Sequence, residues 1–307
     1  MNCKRCGSSN LRTNGKKLLK NGPVQQYRCN SCGHQFTSSD GSLAMEDFGK
    51  QTAKILLLDI ETAPMHCRVW RLGKQVVGME QIINDWFILG WSAKWLFDYE
   101  VASEFVTPEE AKDRDDRRVL EILWKLMNDA SIIIGHNIKY FDIPNIYARF
   151  IYYHIGPPSP FQMLDTLQSS KSIGLTSHKL KYITEYLDLK KKLDTNYQLW
   201  IDCENGDEKS LAYMEKYCRQ DSIALEEVFV ELRPYLKTGI NMALHNHSGE
   251  ACCSSCGSPD LEEKGYYYTS VSRFTSYRCK HCGSYSRSRE NDLSIKDKKV
   301  LLSPTAR

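Results

Sequence analysis

Asp59 and Glu61 are the first residues of the sequence whose types and spacing could do chemistry. They end the apolar run AKILLLDIET, which is typical of a buried strand, and a spacing of two places both carboxylates on one face. Neighbouring carboxylates repel each other, and a divalent cation between them relieves that repulsion. A single D-x-E also occurs on solvated strand ends, so the motif needs support from elsewhere.

Two further motifs supply that support. HNIKYFD follows a second apolar run and contains Asn137, Phe141 and Asp142. YCRQD contains Tyr217 and Asp221, which lie four apart and share one face of a predicted helix. Each motif alone is compatible with an exposed, inert position. Their order along one domain makes the combination much more specific than any single motif.

Cysteines indicate a different kind of metal site at the two ends of the chain. Eight of the twelve cysteines form four C-x-x-C pairs, in a sequence that opens without a secretion signal. Metal binding is therefore a better interpretation than disulfide bonding. The predicted zinc ligands are Cys3, Cys6, Cys29 and Cys32 in one group and Cys253, Cys256, Cys279 and Cys282 in the other.

The two cysteine groups belong to an internal repeat with an offset of 250 residues. Each copy reads C-x2-C-x22-C-x2-C, and YRCNSCG at Tyr27 recurs as YRCKHCG at Tyr277. This spacing predicts two zinc ribbons, in which zinc replaces the core that about forty residues cannot build. The repeat register favours Cys253 over Cys252 as a ligand. The other cysteines are predicted to be buried or half-buried thiols: Cys67, Cys203 and Cys218.

Charge suggests what the ribbons contact. The net charge is +3, but residues 1–40 carry +6 and residues 251–290 carry +2, which leaves −5 for the rest. Basic ends favour a polyanion such as nucleic acid, and Lys16, Lys17 and Arg28 are the predicted contacts. The second ribbon instead has Tyr266–Tyr268 and Phe274, which could stack on bases or pack on protein.

The elements that must position the carboxylates form one α/β domain. Apolar patterns predict strands at 53–62, 67–71, 87–95, 101–106, 131–135 and 162–165, and helices at 109–129, 142–153, 177–187, 209–219 and 221–235. The predicted organisation is a ribbon at 1–40, a linker at 41–52, the central domain at 53–237, a linker at 238–250, a ribbon at 251–288 and a tail at 289–307.

With these motifs in order, residues 53–237 resemble the DEDDy class of 3′–5′ exonucleases in the RNase H-like superfamily. The resemblance is to the exonuclease domain of family B DNA polymerases and to stand-alone proteins akin to it. It implies a mixed five-stranded sheet flanked by helices. The ribbons resemble those at the front of insertion-sequence transposases.

The resemblance also implies a cofactor set and a role for each motif residue. Two Mg²⁺ or Mn²⁺ ions would be held by Asp59, Glu61, Asp142 and Asp221, and two structural Zn²⁺ ions by the cysteines. Tyr217 would orient the attacking water, because a phenol with a pKa near 10 is a poor base at pH 7. Asn137 and Phe141 would contact the terminal nucleotide.

Three hypotheses for function remain open from the sequence. The first is a 3′–5′ exonuclease on single-stranded DNA, the second the same enzyme on RNA, and the third a non-catalytic nucleic-acid-binding adaptor. The clustered carboxylates favour an enzyme. The C-terminal ribbon could also bind a protein partner. No apolar run is long enough to span a bilayer, and a cytoplasmic location is expected.

Overall fold

The structure is a computed structural model that describes residues 9–19, 22–30, 35–37, 53–189, 193–245, 249–303 and 305. It divides into two compact units. One unit contains Lys54–Val228 together with the N-terminal strands, and the other contains the chain from Phe229 onward.

The N-terminal strands form a small antiparallel sheet. Strand β1 is Leu11–Leu19, β2 is Gly22–Cys29 and β3 is Gln35–Thr37, in the order β1-β2-β3. The pairing of β1 with β2 is interrupted between Thr13 and Lys16.

A mixed five-stranded sheet forms the centre of the first unit. Its spatial order is β10-β9-β4-β7-β8, with β9 parallel to β4 and to β10, and with β7 antiparallel to β4 and to β8. The predicted α/β fold class, with a five-stranded mixed sheet, is therefore confirmed. The strands of this unit are β4 (Ile55–Thr62), the short β5 (His66–Cys67) and β6 (Ile82–Asn84) pair, β7 (Ile88–Trp95), β8 (Ala102–Phe105), β9 (Ile132–Gly135) and β10 (Gln162–Asp165).

Helices surround this sheet. They are α1 (Pro108–Asp113), α2 (Arg117–Asp129), α3 (Asp142–Tyr152), α4 (Thr166–Ser170), α5 (Leu180–Tyr186), α6 (Tyr197–Glu204) and α7 (Glu208–Leu232). Leu56, Leu57 and Leu58 of β4 are almost fully buried, because β4 is a central strand. None of the helices in the described part of the chain is long and apolar enough to cross a bilayer.

Several predicted helix boundaries were wrong. The helix predicted over 109–129 is two helices, because Arg114 has a left-handed backbone (φ 55°) that ends α1. The helices predicted at 209–219 and 221–235 are one continuous helix, α7. The helix α6 was not predicted at all. The strand predicted at 67–71 is limited to β5, which pairs with β6 outside the main sheet.

The C-terminal unit contains a second small antiparallel sheet. Strand β11 is Leu261–Tyr268, β12 is Arg273–Cys279 and β13 is Tyr285–Arg287, and a short helix α8 (Ile295–Val300) follows. Leu261 pairs with Cys279 as Leu11 pairs with Cys29, and the pairing is interrupted at the equivalent place, between Glu263 and Tyr266. The two halves of the repeat therefore have the same strand register.

The segment predicted as a linker at 238–250 is partly ordered on this second sheet unit. Residues Met242–His245 form a 3-10 turn, and the backbone N–H of Met242 donates to the carbonyl oxygen of Ser254 at 2.8 Å. The Met242 side chain is buried. The linker predicted at 41–52 lies outside the described residues.

A buried ion pair fixes the start of α2. Both oxygens of Asp116 accept hydrogen bonds from Arg149 of α3, and one oxygen also accepts from the backbone N–H of Ile88 at 2.7 Å. Both side chains of this pair are buried. The pair therefore joins β7, α2 and α3.

Asp116→Ala should destabilise the protein by about 3–5 kcal/mol, because it leaves the Arg149 charge and the Ile88 amide buried and unpaired. Urea unfolding followed by circular dichroism measures this. Glu121→Ala, which breaks the exposed pair with Arg117, is the matched control and should leave the unfolding midpoint nearly unchanged. Equal effects of the two substitutions would contradict this role of the buried pair.

Candidate functional site

Asp59 and Glu61 lie near the end of β4, beside β7. Asp59 is opposite Ser92 and Glu61 is opposite Gly90, and the ladder is interrupted directly after Glu61. Both side chains are half-buried. One ligand atom each from Asp59, Glu61 and the buried Cys218 lie within 4.8 Å of one another.

Asp142 is tied to the same strand through the backbone. Strand β9 ends at Gly135 and its register on β4 ends at Leu57, so the amide of Ile60 extends past the last rung. That amide donates instead to Oδ1 of Asp142, the first residue of α3, at 3.2 Å. Because Ile60 lies between Asp59 and Glu61, this bond brings the first two motifs together.

Burial makes the Asp142 carboxyl hard to ionise. Its side chain is 2% exposed, and desolvation raises its pKa to about 7, with the Asp165 carboxylate adding to the shift. The hydrogen bond from Ile60 opposes this shift but does not cancel it. A divalent cation next to Asp142 would favour the ionised form.

The third motif lies on α7. Asp221 is 4% exposed, and Tyr217 is one helical turn before it. Desolvation raises the pKa of Tyr217 far above its ordinary value, with further contributions from the charges of Asp221, Glu61 and Asp59. The structure thus brings the third motif to the first. The raised pKa favours the protonated phenol, which is a hydrogen-bond donor.

Asn137 and Phe141 lie in the turn between β9 and α3. Asn137 has a left-handed backbone (φ 77°), and its carbonyl oxygen accepts from the amides of Tyr140 and Phe141 at 3.0 Å. The two aromatic side chains are exposed, Tyr140 at 71% and Phe141 at 40%. This turn therefore presents aromatic surface directly beside the candidate carboxylates.

Asp165 holds this turn in place, and sequence reasoning missed it. Its side chain is buried and accepts from the amides of Asn137, Lys139 and Gln168 at 3.0–3.3 Å. The last of these bonds is a helix cap on α4. An acid directly before a helix predicts the cap on α4, but no sequence pattern predicts that Asp165 also binds the amides of Asn137 and Lys139.

Two more neighbours of the first motif were not predicted as site residues. Sγ of Cys218 lies 3.5 Å from Oδ2 of Asp59 and 3.3 Å from Oγ of Ser92. Nε1 of Trp200 donates to Oε2 of Glu61 at 3.3 Å. Cys218 adjoins Tyr217 in sequence, which is a usable signal, whereas Trp200 comes from the unpredicted α6.

The donor set fits Mg²⁺ or Mn²⁺. Carboxylate oxygens are the ligands these ions prefer, and Asp59 and Glu61 supply two of them at the end of one strand. The Cys218 thiol is a softer donor, but burial and the nearby charges of Asp59 and Glu61 raise its pKa well above its ordinary value. Cys218 therefore stays protonated beside the carboxylates.

The four cysteines of the C-terminal repeat form a compact cluster in the second unit. Sγ of Cys253 lies 3.6 Å from Sγ of Cys282, and Sγ of Cys256 lies 3.6 Å from Sγ of Cys279. A tetrahedron with Zn–S bonds of about 2.3 Å has edges of about 3.8 Å, whereas a disulfide would need about 2.05 Å. The cluster can therefore hold zinc.

The backbone around these cysteines has the geometry of two matching knuckles. The amide of Gly257 donates to the carbonyl oxygen of Cys253, and Gly283 donates to Cys279 in the same way. Both glycines have positive φ, at 75° and 77°. Hydrogen bonds among the four thiols lower the pKa of Cys279 and Cys282 and raise the pKa of Cys253 and Cys256. A bound Zn²⁺ ion would favour the thiolate form of each.

Cys252 lies outside the cluster and contacts the carbonyl oxygen of Glu250, so Cys253 is the cluster member, as the register predicted. Of the first group only Cys29 is described, and it is buried. Cys3, Cys6 and Cys32 lie outside the described residues, and Lys16 and Lys17 are described only by their backbone in β1.

Arg28 is the one predicted ribbon contact whose side chain is described. Its Nη2 donates to the carbonyl oxygen of Asp188 at 3.0 Å. Part of the guanidinium therefore binds the protein itself. The group has further N–H donors, so the prediction that Arg28 contacts nucleic acid stays a prediction.

The scan against protein families assigns the central part of the chain. Residues 94–233, just under half of the chain, match the family model described as RNase_H superfamily. The match contains Asp142, Tyr217 and Asp221, whereas Asp59 and Glu61 precede it. A match to this superfamily supports nuclease activity in general.

Comparisons with individual proteins add less. The search of curated proteins found no match. Among solved structures the chain is similar to the family B DNA polymerase from the hyperthermophilic archaeon Pyrobaculum calidifontis, with 14% identity, a TM-score of 0.45, and coverage of 73% of this chain and 28% of that one. The chain thus corresponds to little more than a quarter of the polymerase, and this likeness carries no inference about activity.

The raised pKa of Asp142 has a measurable consequence for stability. The folded protein keeps a proton on Asp142 that the unfolded chain releases above about pH 4. Without added divalent cations, the free energy of unfolding should therefore fall by up to roughly 4 kcal/mol between about pH 4 and about pH 7 from this group alone. Urea unfolding at a series of pH values measures it.

Asp142→Asn is the matched variant, because an amide keeps the shape and does not ionise. Its unfolding free energy should lack this fall with pH. If the variant and the original protein depend on pH in the same way, the carboxyl of Asp142 does not have a raised pKa.

Proposed function

We propose that this protein is a metal-dependent 3′–5′ exonuclease that hydrolyses single-stranded DNA. The observation that carries the proposal is the convergence of three separate motifs at the end of β4. Asp59 and Glu61 lie on that strand, and the Asp142 carboxyl accepts a hydrogen bond from its backbone at Ile60. Tyr217 is close enough to Asp59 and Glu61 for their charges to raise its pKa. An RNase H-like domain with this arrangement has the means to hydrolyse a phosphodiester.

The carboxylates are assigned to metal binding and Tyr217 to positioning. Two divalent ions, when bound, stabilise charge on the phosphoryl oxygens and help to form hydroxide from water. Asp59, Glu61, Asp142 and Asp221 would hold them. Because the Tyr217 phenol stays protonated, it orients a water by hydrogen bonding and leaves deprotonation to other groups.

The turn after β9 is assigned to the end of the strand. Tyr140 and Phe141 expose their rings directly before α3, which begins at Asp142. Aromatic side chains bind the faces of unpaired bases without requiring a sequence. Asn137 shapes the turn through its left-handed backbone and is the polar contact of the set. This surface supports a single-stranded substrate in preference to a duplex.

The C-terminal ribbon is assigned to nucleic-acid binding through one face of its sheet. The Arg287 guanidinium lies 4.1 Å from the centre of the Phe274 ring and 5.4 Å from that of Tyr267. Tyr285 pairs with Arg278 on the same face. The ribbon's lysines are instead engaged in ion pairs, Lys264 with Glu262 and Lys280 with Asp260. Arginines beside aromatic rings suit both bases and phosphates.

Asp59→Ala should reduce hydrolysis of single-stranded DNA by at least about 100-fold, because it removes a metal ligand at the reacting phosphate. The assay uses DNA and RNA oligomers of one sequence, each labelled at the 3′ or the 5′ end, with and without Mg²⁺ or Mn²⁺. We expect early release of the 3′ label as a mononucleotide and a ladder from the 5′ label, with DNA degraded faster.

Asp129→Ala is the matched control. Asp129 is an exposed acid that pairs with Lys54, directly before the start of β4, whereas Asp59 and Glu61 lie near the other end of that strand. It should leave the rate unchanged. Faster degradation of RNA would replace the DNA substrate by RNA. Hydrolysis that survives Asp59→Ala at the original rate would refute the assigned site, and binding without any hydrolysis would favour a non-catalytic adaptor.

Phe274→Ala combined with Arg287→Ala should weaken binding of single-stranded DNA by about 10-fold, because it removes a stacking ring and a cation. It should also reduce the slope of affinity against salt concentration by about one. Fluorescence anisotropy at several salt concentrations measures both, and zinc content measured in parallel should be unchanged. Lys264→Ala is the control on the same ribbon. Unaltered affinity would refute the assignment of this face to nucleic acid.

A further inference from the structure

A two-stranded arm projects from the first unit between β4 and β7. It consists of residues 66–84, in which β5 pairs with β6. Next to this pair, the backbone amide of Arg68 donates to the carbonyl oxygen of Gln81, and the Gln81 side chain donates to the carbonyl oxygen of Arg68, both at 2.9 Å. Strand pairing and these bonds close the base of the arm and leave its tip projecting.

The tip of the arm exposes large apolar side chains. Trp70, Leu72 and Val76 are 97%, 96% and 95% exposed, and Met79 is 87% exposed. Single exposed apolar residues are ordinary on a protein surface, whereas several on one short element mark an interaction surface. Burying these side chains against a partner would remove them from water, which is favourable.

Basic side chains lie among the apolar ones. Arg68, Arg71 and Lys74 are all exposed, and no acid occurs between Glu61 and Glu80. Among the ion pairs of the residues that the structure describes, none includes these three basic side chains. The arm therefore presents positive charge that a polyanion can neutralise.

The base of the arm is joined to the helix that contacts the candidate carboxylates. Nε2 of His66 lies 2.8 Å from Oε1 of Glu204, which is buried at the end of α6 and also pairs with Arg114. Trp200 lies one turn earlier on the same face of α6 and donates to Oε2 of Glu61. Both contacts come from one helix, so the base of the arm has a fixed position beside the carboxylates.

Unpaired nucleic acid fits this surface better than a protein does. Charged residues are depleted at the core of protein interfaces, whereas here Arg71 lies directly between Trp70 and Leu72 in sequence. Surfaces that bind single strands combine aromatic rings that stack on bases with basic side chains that contact phosphates. The tip of the arm has both.

We propose that the arm binds the unpaired strand upstream of its 3′ end, with Trp70 stacking on an internal base and the three basic side chains contacting phosphates. The proposal rests on the proposed function, which locates the 3′ end at the carboxylates. The arm is separate from the turn after β9, which is assigned to that end. It therefore adds affinity for long strands and none for a dinucleotide.

The first test measures binding by the full chain. Fluorescence anisotropy follows a single-stranded DNA oligomer of about 20 nucleotides, labelled at its 3′ end, with Ca²⁺ as the added divalent ion. Trp70→Ala should weaken binding by about 10-fold, because it removes a stacking ring, and Trp70→Phe should restore most of the affinity. Ile151→Ala removes a well-exposed apolar side chain from α3 and should have no effect. Since both side chains are exposed, neither change should alter the unfolding midpoint.

The second test shows which part of the strand the arm contacts. It compares a normal oligomer with one that has abasic sugars at internal positions and normal nucleotides at the 3′ end. The original protein should bind the abasic form more weakly, and Trp70→Ala should lose most of this preference.

The third test addresses the charges. Arg71→Ala combined with Lys74→Ala should lower the slope of affinity against salt concentration by about 0.7 for each phosphate contact that is lost. Lys125→Ala removes an exposed basic side chain from α2 and is the matched control, which should leave the slope unchanged.

Two results would overturn the proposal. One is equal affinity of the original protein and Trp70→Ala for the normal oligomer. The other is a dimer, measured by sedimentation, that Trp70→Ala converts to a monomer while DNA affinity stays unaltered. That result would assign the arm to a second copy of the chain.

The arm and the exonuclease fail in different ways. Trp70-dependent binding to internal nucleotides without any hydrolysis would support the arm and refute the exonuclease. Release of mononucleotides from the 3′ end, with binding that is insensitive to Trp70, would support the exonuclease and refute the arm.

Discussion

The hydrogen bond between the Ile60 amide and the Asp142 carboxylate is the contact on which the candidate site depends. It exists because β9 is shorter than β4, so the outer part of β4 has an amide that the sheet does not pair. A buried amide without a partner is unfavourable, and so is a buried carboxylate. Each satisfies the other, which fixes α3 against the strand that carries Asp59 and Glu61. A cation bound beside Asp142 would offset the remaining cost of burying its carboxylate.

The position of α7 follows from contacts with β7. Oγ of Ser92 donates to the carbonyl oxygen of Cys218 at 2.7 Å and lies 2.6 Å from Oγ of Ser222. Farther along the helix, the buried Lys94 pairs with Glu226 at 2.6 Å. Because Ser92 is also the partner of Asp59 in the sheet, one residue of β7 sets the relation between the first motif and the third. Polar contacts from Ser92 and Lys94 of β7 therefore fix both the position of α7 along the strand and its rotation about its own axis.

The sequence was sufficient to predict the central sheet, because it contains short apolar runs such as ILLLDI and SIIIG. Such runs are typical of strands that are buried on both faces. The sequence was insufficient where tertiary contacts decide. The helix break at Arg114 and the continuous α7 both differ from what apolar spacing alone predicted. The catalytic assignments remain predictions, although the geometry brings their residues together. Asp165 and Trp200 were missed because their contacts span 26 to 139 residues of sequence.

The strand register of the two ribbons includes an interruption in which residues 264 and 265 face the single residue Ser276, and Gly265 has a φ of 74°. This is a β-bulge that glycine favours, and Gly15 occupies the same place in the first copy. The residue after the bulge is Lys16 in one copy and Tyr266 in the other. The two hairpins therefore share a strand register and a bulge, whereas the residue types at equivalent positions differ. A repeat of this kind lets one chain present two chemically different surfaces on one backbone geometry.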